Sequence, residues 1–236
     1  NHKNKMFASV GYWEDENNIW YGGTDYSIGW SQIIMLESED DDWKVDFDLG
    51  ANYLRPEILK EVVFTVDFNG NILESPDTLL IVGAYSPNYI LGNVTANIFI
   101  RNDNTDSWDQ VLVYQGDFSS GESCSIRDIE LYTDQETGVE LLIIPVGTKG
   151  VFSGKYNSDL DVKIEIGPNP EIGPLGIRPL GITTFNNDLY FSSGNKIFKR
   201  NDGSSPSYDV VHDFIDLNTT VNSSVGGIRG LSTITD

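Results

Sequence analysis

The sequence predicts an all-β protein assembled from a repeated unit. Three observations support this prediction. A tripeptide recurs at a fixed spacing, short apolar runs alternate with Gly, Asn, Asp and Pro, and no convincing segment shows the 3.6-residue period of a helix. Recurrence near every fifty residues is the usual mark of a repeat architecture. With 236 residues, of which 39% are apolar, the chain carries enough apolar material for a globular fold.

The repeat is marked by an arginine that follows an apolar residue. The segments SIRD at 125–128, GIR at 176–178 and GIRG at 227–230 place Arg127, Arg178 and Arg229 at equal intervals. A looser copy, YLRP at 53–56, contains Arg55, and the step from Arg55 to Arg127 is longer than the other two, which indicates an insertion in that unit. The repeats are therefore predicted to start near residues 54, 126, 177 and 228.

Alignment on the arginine divides each unit into four predicted strands, bounded by turn-forming residues. The first strand follows the arginine, and the second is an apolar run that ends in small residues. Predicted first strands are 62–68, 129–133, 180–185 and 231–235, and second strands begin at Met6, Leu79, Leu141 and Leu189. Third strands begin at Ile33, Asn97, Gly150 and Lys196, and fourth strands at Trp43, Trp108, Asp161 and Tyr208.

Repeated four-stranded antiparallel units predict a β-propeller, in which each blade packs on the next and few strand edges stay exposed. A β-sandwich lacks such a repeat, and the coils of a β-helix are much shorter. The chain carries three strands, then three sets of four, then one more first strand, so sixteen strands would make four blades. Pairing of 231–235 with 6–11 would close this ring as a single domain over 1–236. A fragment of a longer ring would instead belong to five or more blades.

Three stretches carry a family resemblance: IRGLSTI at 228–234, LYFSSGNKIFKRNDG at 189–203 and MFASVGYWED at 6–15. They resemble the repeats of a group of uncharacterised exported propeller-type proteins, and the resemblance spans nearly the whole chain. It implies a propeller fold and an extracellular or cell-surface location. It implies no particular activity.

Charge and hydropathy argue against two classes of partner. The 36 acidic and 15 basic residues give a formal net charge of −21, which argues against binding the phosphate backbone of nucleic acids. The longest apolar runs, such as 141–146, are far shorter than the roughly 20 residues that span a bilayer, so membrane insertion is not expected. If the protein is exported in a eukaryote, the sequons at Asn93, Asn218 and Asn222 are candidate glycosylation sites.

The best candidate for ligand binding is the long connection between the second and third strands of the first unit, Tyr12–Gln32. Long connections inside compact domains are often functional. Aromatic rings stack on the apolar faces of sugars, and neighbouring Asp and Asn accept hydrogen bonds from hydroxyl groups, so the segment suits a glycan. The same rings could pack over the sheet or contact a protein. The candidate residues are Trp13, Trp20, Tyr21, Tyr26 and Trp30.

The repeated arginines and the acidic turns are further candidates. Arg55, Arg127, Arg178 and Arg229 could surround one mouth of a central channel and attract an anion, or could pair with acids of the preceding fourth strand, such as Asp46. Acidic turns are predicted at 38–43, 102–109 and 157–161. In the second of these, Asn102, Asn104 and Asp106 alternate like the start of a Ca²⁺ loop, although such residues also dominate ordinary turns.

Few residues suit catalysis. The only histidines are His2 and His212, the single Cys124 is expected to be structural, and HExxH, GxSxG and phosphate-loop motifs are absent from the sequence. The leading prediction is a non-enzymatic extracellular or surface propeller that binds a glycan or protein ligand. One alternative is a carboxylate-based carbohydrate-active enzyme, because such chemistry needs only Asp and Glu. Another is a structural subunit that forms a homo-oligomer or filament through its terminal strands.

Overall fold

The computed structural model describes residues 2–13, 29–49, 54–88, 93–117, 124–175 and 179–213. Within these ranges the protein consists of fifteen β-strands and no helix, which confirms the predicted all-β class. The same residues accordingly contain no helix that could span a membrane.

The strands form four antiparallel sheets, and within each sheet they neighbour one another in chain order. The first sheet contains β1 (Met6–Trp13), β2 (Gly29–Leu36) and β3 (Lys44–Asp48). The second contains β4 (Arg55–Val66), β5 (Ile72–Asn88), β6 (Asn93–Asn102) and β7 (Ser107–Asp117). The third contains β8 (Glu130–Thr133), β9 (Glu140–Val146), β10 (Gly150–Tyr156) and β11 (Ile164–Ile166). The fourth contains β12 (Pro179–Phe185), β13 (Asp188–Ser193), β14 (Lys196–Asn201) and β15 (Ser207–Asp213).

This grouping confirms the predicted series of three strands followed by three sets of four. The sixteenth predicted strand, 231–235, lies outside the described residues. The insertion inferred from the spacing between Arg55 and Arg127 corresponds to longer strands in the second sheet. There β4 has 12 residues and β5 has 17, whereas β8 has 4 and β9 has 7. The first strand therefore begins at Arg55, earlier than the sequence pattern predicted.

A register shift interrupts the pairing of the last strand in three sheets. The extra residue is Asp46 in β3, Val113 in β7 and Val211 in β15. Such a β-bulge changes the direction of a side chain relative to the regular pleat. The bulge in β3 matters for the ion-pair clusters described below, because Asp46 is the main partner of a buried arginine.

The chain divides into two compact units, Asn1–Val62 with Thr78–Cys124, and Val63–Asp77 with Ser125–Asp236. The boundary falls inside β4 and β5. In the first unit the core is built on Ile33, Leu49 and Phe99, and Phe47 stacks on Trp108 with ring centroids 5.6 Å apart. This burial of apolar side chains is the main favourable contribution to folding of the unit.

The core of the second unit brings the third and fourth sheets together. Every residue of β9 is buried, as expected for a strand that is covered on both faces. Leu141 and Ile143 of β9 share a cluster with Leu189 and Phe191 of β13. Phe191 also stacks almost parallel to Phe198 of β14, at 4.8 Å between centroids.

Candidate functional site

The β1–β2 connection begins and ends at adjacent backbone positions. β1 and β2 are paired as far as Tyr12 opposite Trp30 and Trp13 opposite Gly29, so the segment 14–28 departs from and returns to the same end of the sheet. The equivalent connections in the other sheets are much shorter and span only 89–92, 147–149 and 194–195. Trp13 and Trp30 thus lie on strands at the base of this connection. Trp20, Tyr21 and Tyr26 lie outside the described residues.

The two described members of the repeated arginine set have different surroundings. Arg55 begins β4 and is half-buried, and its Nη1 donates a hydrogen bond of 3.3 Å to the hydroxyl of Tyr85. Its guanidinium carbon is 5.9 Å from the centre of the Tyr85 ring. Arg127 is exposed and precedes β8. Arg178 and Arg229 lie outside the described residues, so an anion site at the channel mouth stays a prediction.

The candidate calcium residues lie in the turn between β6 and β7, where they make local contacts. The side-chain oxygen of Asn102 accepts a hydrogen bond from the backbone N–H of Asn104, at 3.2 Å, as in an ordinary Asx turn. Asp106 adopts a positive φ of 49° and accepts a hydrogen bond from Nη2 of Arg101. Within the described ranges, no group of three or more His, Cys, Asp or Glu is placed to hold a metal ion. Calcium binding stays a prediction.

The most developed polar structure in the first unit surrounds Arg101 of β6. Its guanidinium forms a bidentate pair with Asp46, with Nε and Nη2 each 3.0 Å from a carboxylate oxygen. Nη1 binds Asp103, and Nη2 also binds Asp106 at 2.8 Å. The indole N–H of Trp108, the residue opposite Arg101 on β7, donates to Asp46 at 2.7 Å. We call these five residues the Arg101 cluster.

The second unit contains a closely similar arrangement around Arg200 of β14. Its Nε and Nη2 form a bidentate pair with Glu171 at 2.8 and 3.1 Å. Nη1 donates to Asp134 at 2.7 Å and to Asp202 at 2.6 Å. The hydroxyl of Tyr208, the residue opposite Arg200 on β15, donates to Glu171 at 2.6 Å. We call these five residues the Arg200 cluster.

In each cluster the electrostatics favour the charged form of the arginine and of one carboxylate, Asp103 or Asp134. Burial opposes the cation, but hydrogen bonds to the surrounding carboxylates outweigh it and raise the pKa of Arg101 and of Arg200. Burial also opposes the anions. Hydrogen bonds from Lys3, His2 and Arg101 nevertheless lower the pKa of Asp103 to about 2, and those from Arg200 and from backbone N–H groups lower the pKa of Asp134 further. Burial raises the pKa of Tyr208, and the charge of Glu171 adds to this effect.

Sequence reasoning missed these two arginines, although the signal was present. The segments IFIRND at 98–103 and IFKRND at 197–202 differ at one position and place Arg101 and Arg200 at equivalent points of their third strands. The predicted kind of contact, a buried arginine paired with acids, does occur. Asp46 was predicted as a partner of the repeated arginines, and it does bind an arginine. That arginine is Arg101, which is not a member of the repeated set. The other third strands, β2 and β10, contain no arginine.

Two further acids of the second unit, the buried Glu140 and the half-buried Asp77, bind donors other than arginine. Glu140 of β9 accepts hydrogen bonds from the backbone N–H and hydroxyl of Thr65, both at 2.6 Å, and from the backbone N–H of Val66 at 3.2 Å. The hydroxyl of Tyr156 donates to Asp77 at 2.7 Å, and Lys163 binds the same carboxylate oxygen. These acids therefore hold backbone and side chains in place.

Of the candidate nucleophile and bases named from the sequence, Cys124 and His2 are buried and His212 is exposed. Cys124 is buried with its sulfur 3.9 Å from the backbone oxygen of Val94, and burial raises the pKa of its thiol to about 12. A thiol of this kind is a poor nucleophile at neutral pH. His2 is buried between Glu61 at 3.1 Å and Asp103 at 2.9 Å. His212 is an exposed residue of β15.

One candidate glycosylation site lies on a described strand. Asn93 begins β6, where its backbone is opposite Asn88 on one side and Asp117 on the other. Asn218 and Asn222 lie outside the described residues.

Comparisons with known proteins do not assign a family. No family model, curated protein or solved structure matches this chain. The resemblance to exported propeller-type proteins therefore stays a prediction from the sequence.

Proposed function

We propose that this chain is a non-enzymatic β-propeller that acts outside the cell or at its surface and binds a glycan or protein ligand. The ligand is bound at the end of the first sheet that carries the β1–β2 connection. The observation behind this proposal is the length of that connection. It spans 14–28, whereas the connections at the equivalent points of the other sheets span only 89–92, 147–149 and 194–195.

The propeller arrangement is supported by the repeated strand order. Three sheets place four consecutive strands side by side, the first sheet has three, and the bulged strands occupy equivalent positions. Within each unit, the arginine of one sheet binds acids that belong to or follow strands of the preceding sheet: Asp46 for Arg101, and Asp134 and Glu171 for Arg200. Such contacts suit consecutive blades that pack face to face.

A rigid scaffold with one enlarged connection suits ligand binding, because binding residues are often carried on loops that a stable framework positions. Fold alone does not select a ligand, since propellers host many activities. The composition of the connection makes a glycan the first ligand to test. Aromatic residues and Gly are interspersed there with Asp, Asn and Glu, which supply stacking surfaces and hydroxyl acceptors.

The proposal favours binding over carboxylate catalysis because four acids with little exposed side chain are already bound to donors within the protein. Asp46, Asp134 and Glu171 each bind an arginine, and Glu140 binds a hydroxyl and two backbone N–H groups. A glycosidase needs one carboxyl group that gives up a proton and a second that attacks or activates water. Acids that are already paired with arginine are poorly suited to either role.

A glycan array with three forms of the full chain tests this function. We expect the wild type to bind a subset of glycans, Trp20→Ala to lose at least about tenfold in signal, and Trp43→Ala to retain it. Trp43 is the matched control because it is a half-exposed tryptophan outside the connection. Thermal unfolding of each form shows whether a lost signal reflects lost folding.

Other outcomes distinguish the alternatives. If no glycan binds, or if both tryptophan variants lose signal equally, the glycan form of the proposal is wrong. A protein ligand would then be expected to bind wild type and Trp43→Ala, but not Trp20→Ala, in pull-downs of surface proteins. Release of reducing ends from polysaccharides by the purified wild type would contradict a non-enzymatic role.

A further inference from the structure

His2 is a buried histidine with a carboxylate at each ring nitrogen. Its side chain is 1% exposed, Nδ1 lies 3.1 Å from Oε2 of Glu61 on β4, and Nε2 lies 2.9 Å from Oδ2 of Asp103 after β6. The ring also meets the ring of Phe7 on β1, with 6.1 Å between centroids. These four residues all belong to the first compact unit. Through His2, the segment 2–5 is therefore attached to β4 and to the β6–β7 turn.

The number of N–H groups on the ring decides whether both contacts with the acids are hydrogen bonds. A carboxylate can only accept hydrogen bonds, a neutral imidazole has one N–H, and the charged imidazolium has two. With Glu61 and Asp103 ionised, only the imidazolium donates to both of them. A neutral ring would instead place the lone pair of one nitrogen against a carboxylate oxygen, in a place where the ring has little access to water.

The charged groups near the ring include more carboxylates than cations. Lys3, from the same segment, binds Asp103 at 2.7 Å, and Arg101 of β6 binds Asp103 as well. Burial opposes the charge of Asp103, but hydrogen bonds from Lys3, His2 and Arg101 lower its pKa to about 2. Asp103 therefore stays ionised wherever a histidine titrates. The remaining charged groups are Glu61 beside the ring, Asp46 and Asp106 on Arg101, and Lys5, which pairs with Glu37 at 3.8 Å.

The backbone of segment 2–5 needs such an attachment. Lys3 and Asn4 have φ of 47° and 66°, and the backbone N–H of Lys5 donates to the oxygen of His2 at 2.9 Å, which closes a tight turn. Left-handed φ values are unfavourable for a residue such as lysine. The contacts of His2 and Lys3 with Asp103 offset this cost. Loss of a hydrogen bond from His2 would therefore make local opening of the turn easier.

We propose that His2 is a pH-dependent anchor of segment 2–5 in the first unit. The charged ring donates to Glu61 and Asp103 and holds the segment against β4 and the β6–β7 turn. As the pH rises and the ring loses a proton, one of the two hydrogen bonds is lost and the turn opens locally. The attachment is thus strong in mild acid and weaker with rising pH, the opposite sign to a stabilising carboxylate. This inference does not depend on the proposed ligand.

Hydrogen exchange of the Lys5 amide measures this opening in the full chain, because that amide binds the oxygen of His2. Exchange rates are corrected for the intrinsic effect of pH. We expect the protection of this amide in the wild type to fall at least about tenfold between about pH 5 and about pH 8. A fall of this size corresponds to the loss of one hydrogen bond to a charged group. NMR of histidine labelled with ¹⁵N should show the ring of His2 losing its proton over the same range.

Glu61→Gln distinguishes a pH-dependent anchor from a contact that is merely structural. The new amide can donate to an unprotonated Nδ1, while Nε2–H still donates to Asp103, so a neutral ring keeps both hydrogen bonds. We therefore expect Glu61→Gln to keep the Lys5 amide protected at both pH values. His2→Gln should remove the pH dependence, because the glutamine side chain does not titrate. His212→Gln, at the other histidine of the chain, should behave as the wild type does.

Each comparison can overturn the proposal. Equal protection of the wild type at both pH values would contradict it, and so would a fall in Glu61→Gln or His2→Gln as large as that in the wild type. A fall that occurs while the His2 ring is still charged would also contradict it. Thermal unfolding shows whether each variant folds. If His2→Gln does not fold, the contrast between the wild type and Glu61→Gln decides.

Discussion

The Arg101 and Arg200 clusters have the same pattern of contacts but differ in how exposed their acidic side chains are to solvent. In the Arg200 cluster, the side chains of Asp134 and Glu171 are 2% and 9% exposed. In the Arg101 cluster, Asp46 is similarly buried, but the side chain of Asp106 is 71% exposed. Asp103 also has His2 and Lys3 as further partners. We therefore expect the second unit to depend on its arginine more strongly than the first unit does.

The largest expected effect is the loss of Arg200. Arg200→Ala leaves Asp134 and Glu171 buried without their cation, and breaking a buried ion pair in this way costs about 3–5 kcal/mol. Urea denaturation followed by fluorescence would measure the change in the free energy of unfolding. Lys199→Ala is the matched control, because Lys199 is the neighbouring residue and its ion pair with Asp188 lies near the surface, where such pairs contribute little to stability. Similar losses for both variants would contradict the role assigned to the cluster.

Arg101→Ala should have a smaller effect of the same sign. Asp106 can turn into solvent, and His2 and Lys3 still bind Asp103, so mainly Asp46 is left without a charged partner. We expect a loss of about 2–3 kcal/mol, at or below the lower end of the range for a broken buried pair. The same urea titration measures it. A loss greater than that of Arg200→Ala would contradict this comparison. It would show that the exposure of Asp106 to solvent does not reduce the destabilisation.

Much of the fold could be predicted because its signals are local and repeated. Turn residues and short apolar runs indicated the strands and their grouping, and the spacing between Arg55 and Arg127 indicated the insertion. The strand ends of β4 and β5 were less predictable. The polar segment between Arg55 and Val62 does not alternate clearly, and its strand conformation depends on pairing with β5.

The buried clusters were harder to predict because they join residues distant in the sequence. Asp46 and Arg101 are separated by 55 residues, and Asp134 and Arg200 by 66. The arginine that marks the repeat was the expected partner of the buried acids. Its regular spacing indicates where each unit begins, but it does not indicate which arginine is buried. The repeated IFxRND segments were the better signal, since an arginine within an otherwise apolar strand must find buried acids.

The smallest expected effect is on the response of stability to acid. The folded-state pKa of Asp103 is about 2, and that of Asp134 is lowered further, while an unperturbed Asp titrates near 3.9. Both carboxylates therefore stabilise the fold above about pH 4, and this stabilisation is lost as the pH falls through the folded-state pKa. Asp103→Asn should make the slope of unfolding free energy between pH 4 and pH 2 shallower by up to about 1 kcal/mol per pH unit.

Two further variants complete this test. Asp134→Asn should make the slope shallower below pH 2 as well, whereas the exposed Asp40→Asn controls for the change in net charge. Urea titrations at pH 4, 3 and 2 would measure the slopes, and equal slopes for Asp103→Asn and Asp40→Asn would show that Asp103 does not stabilise the fold through its charge.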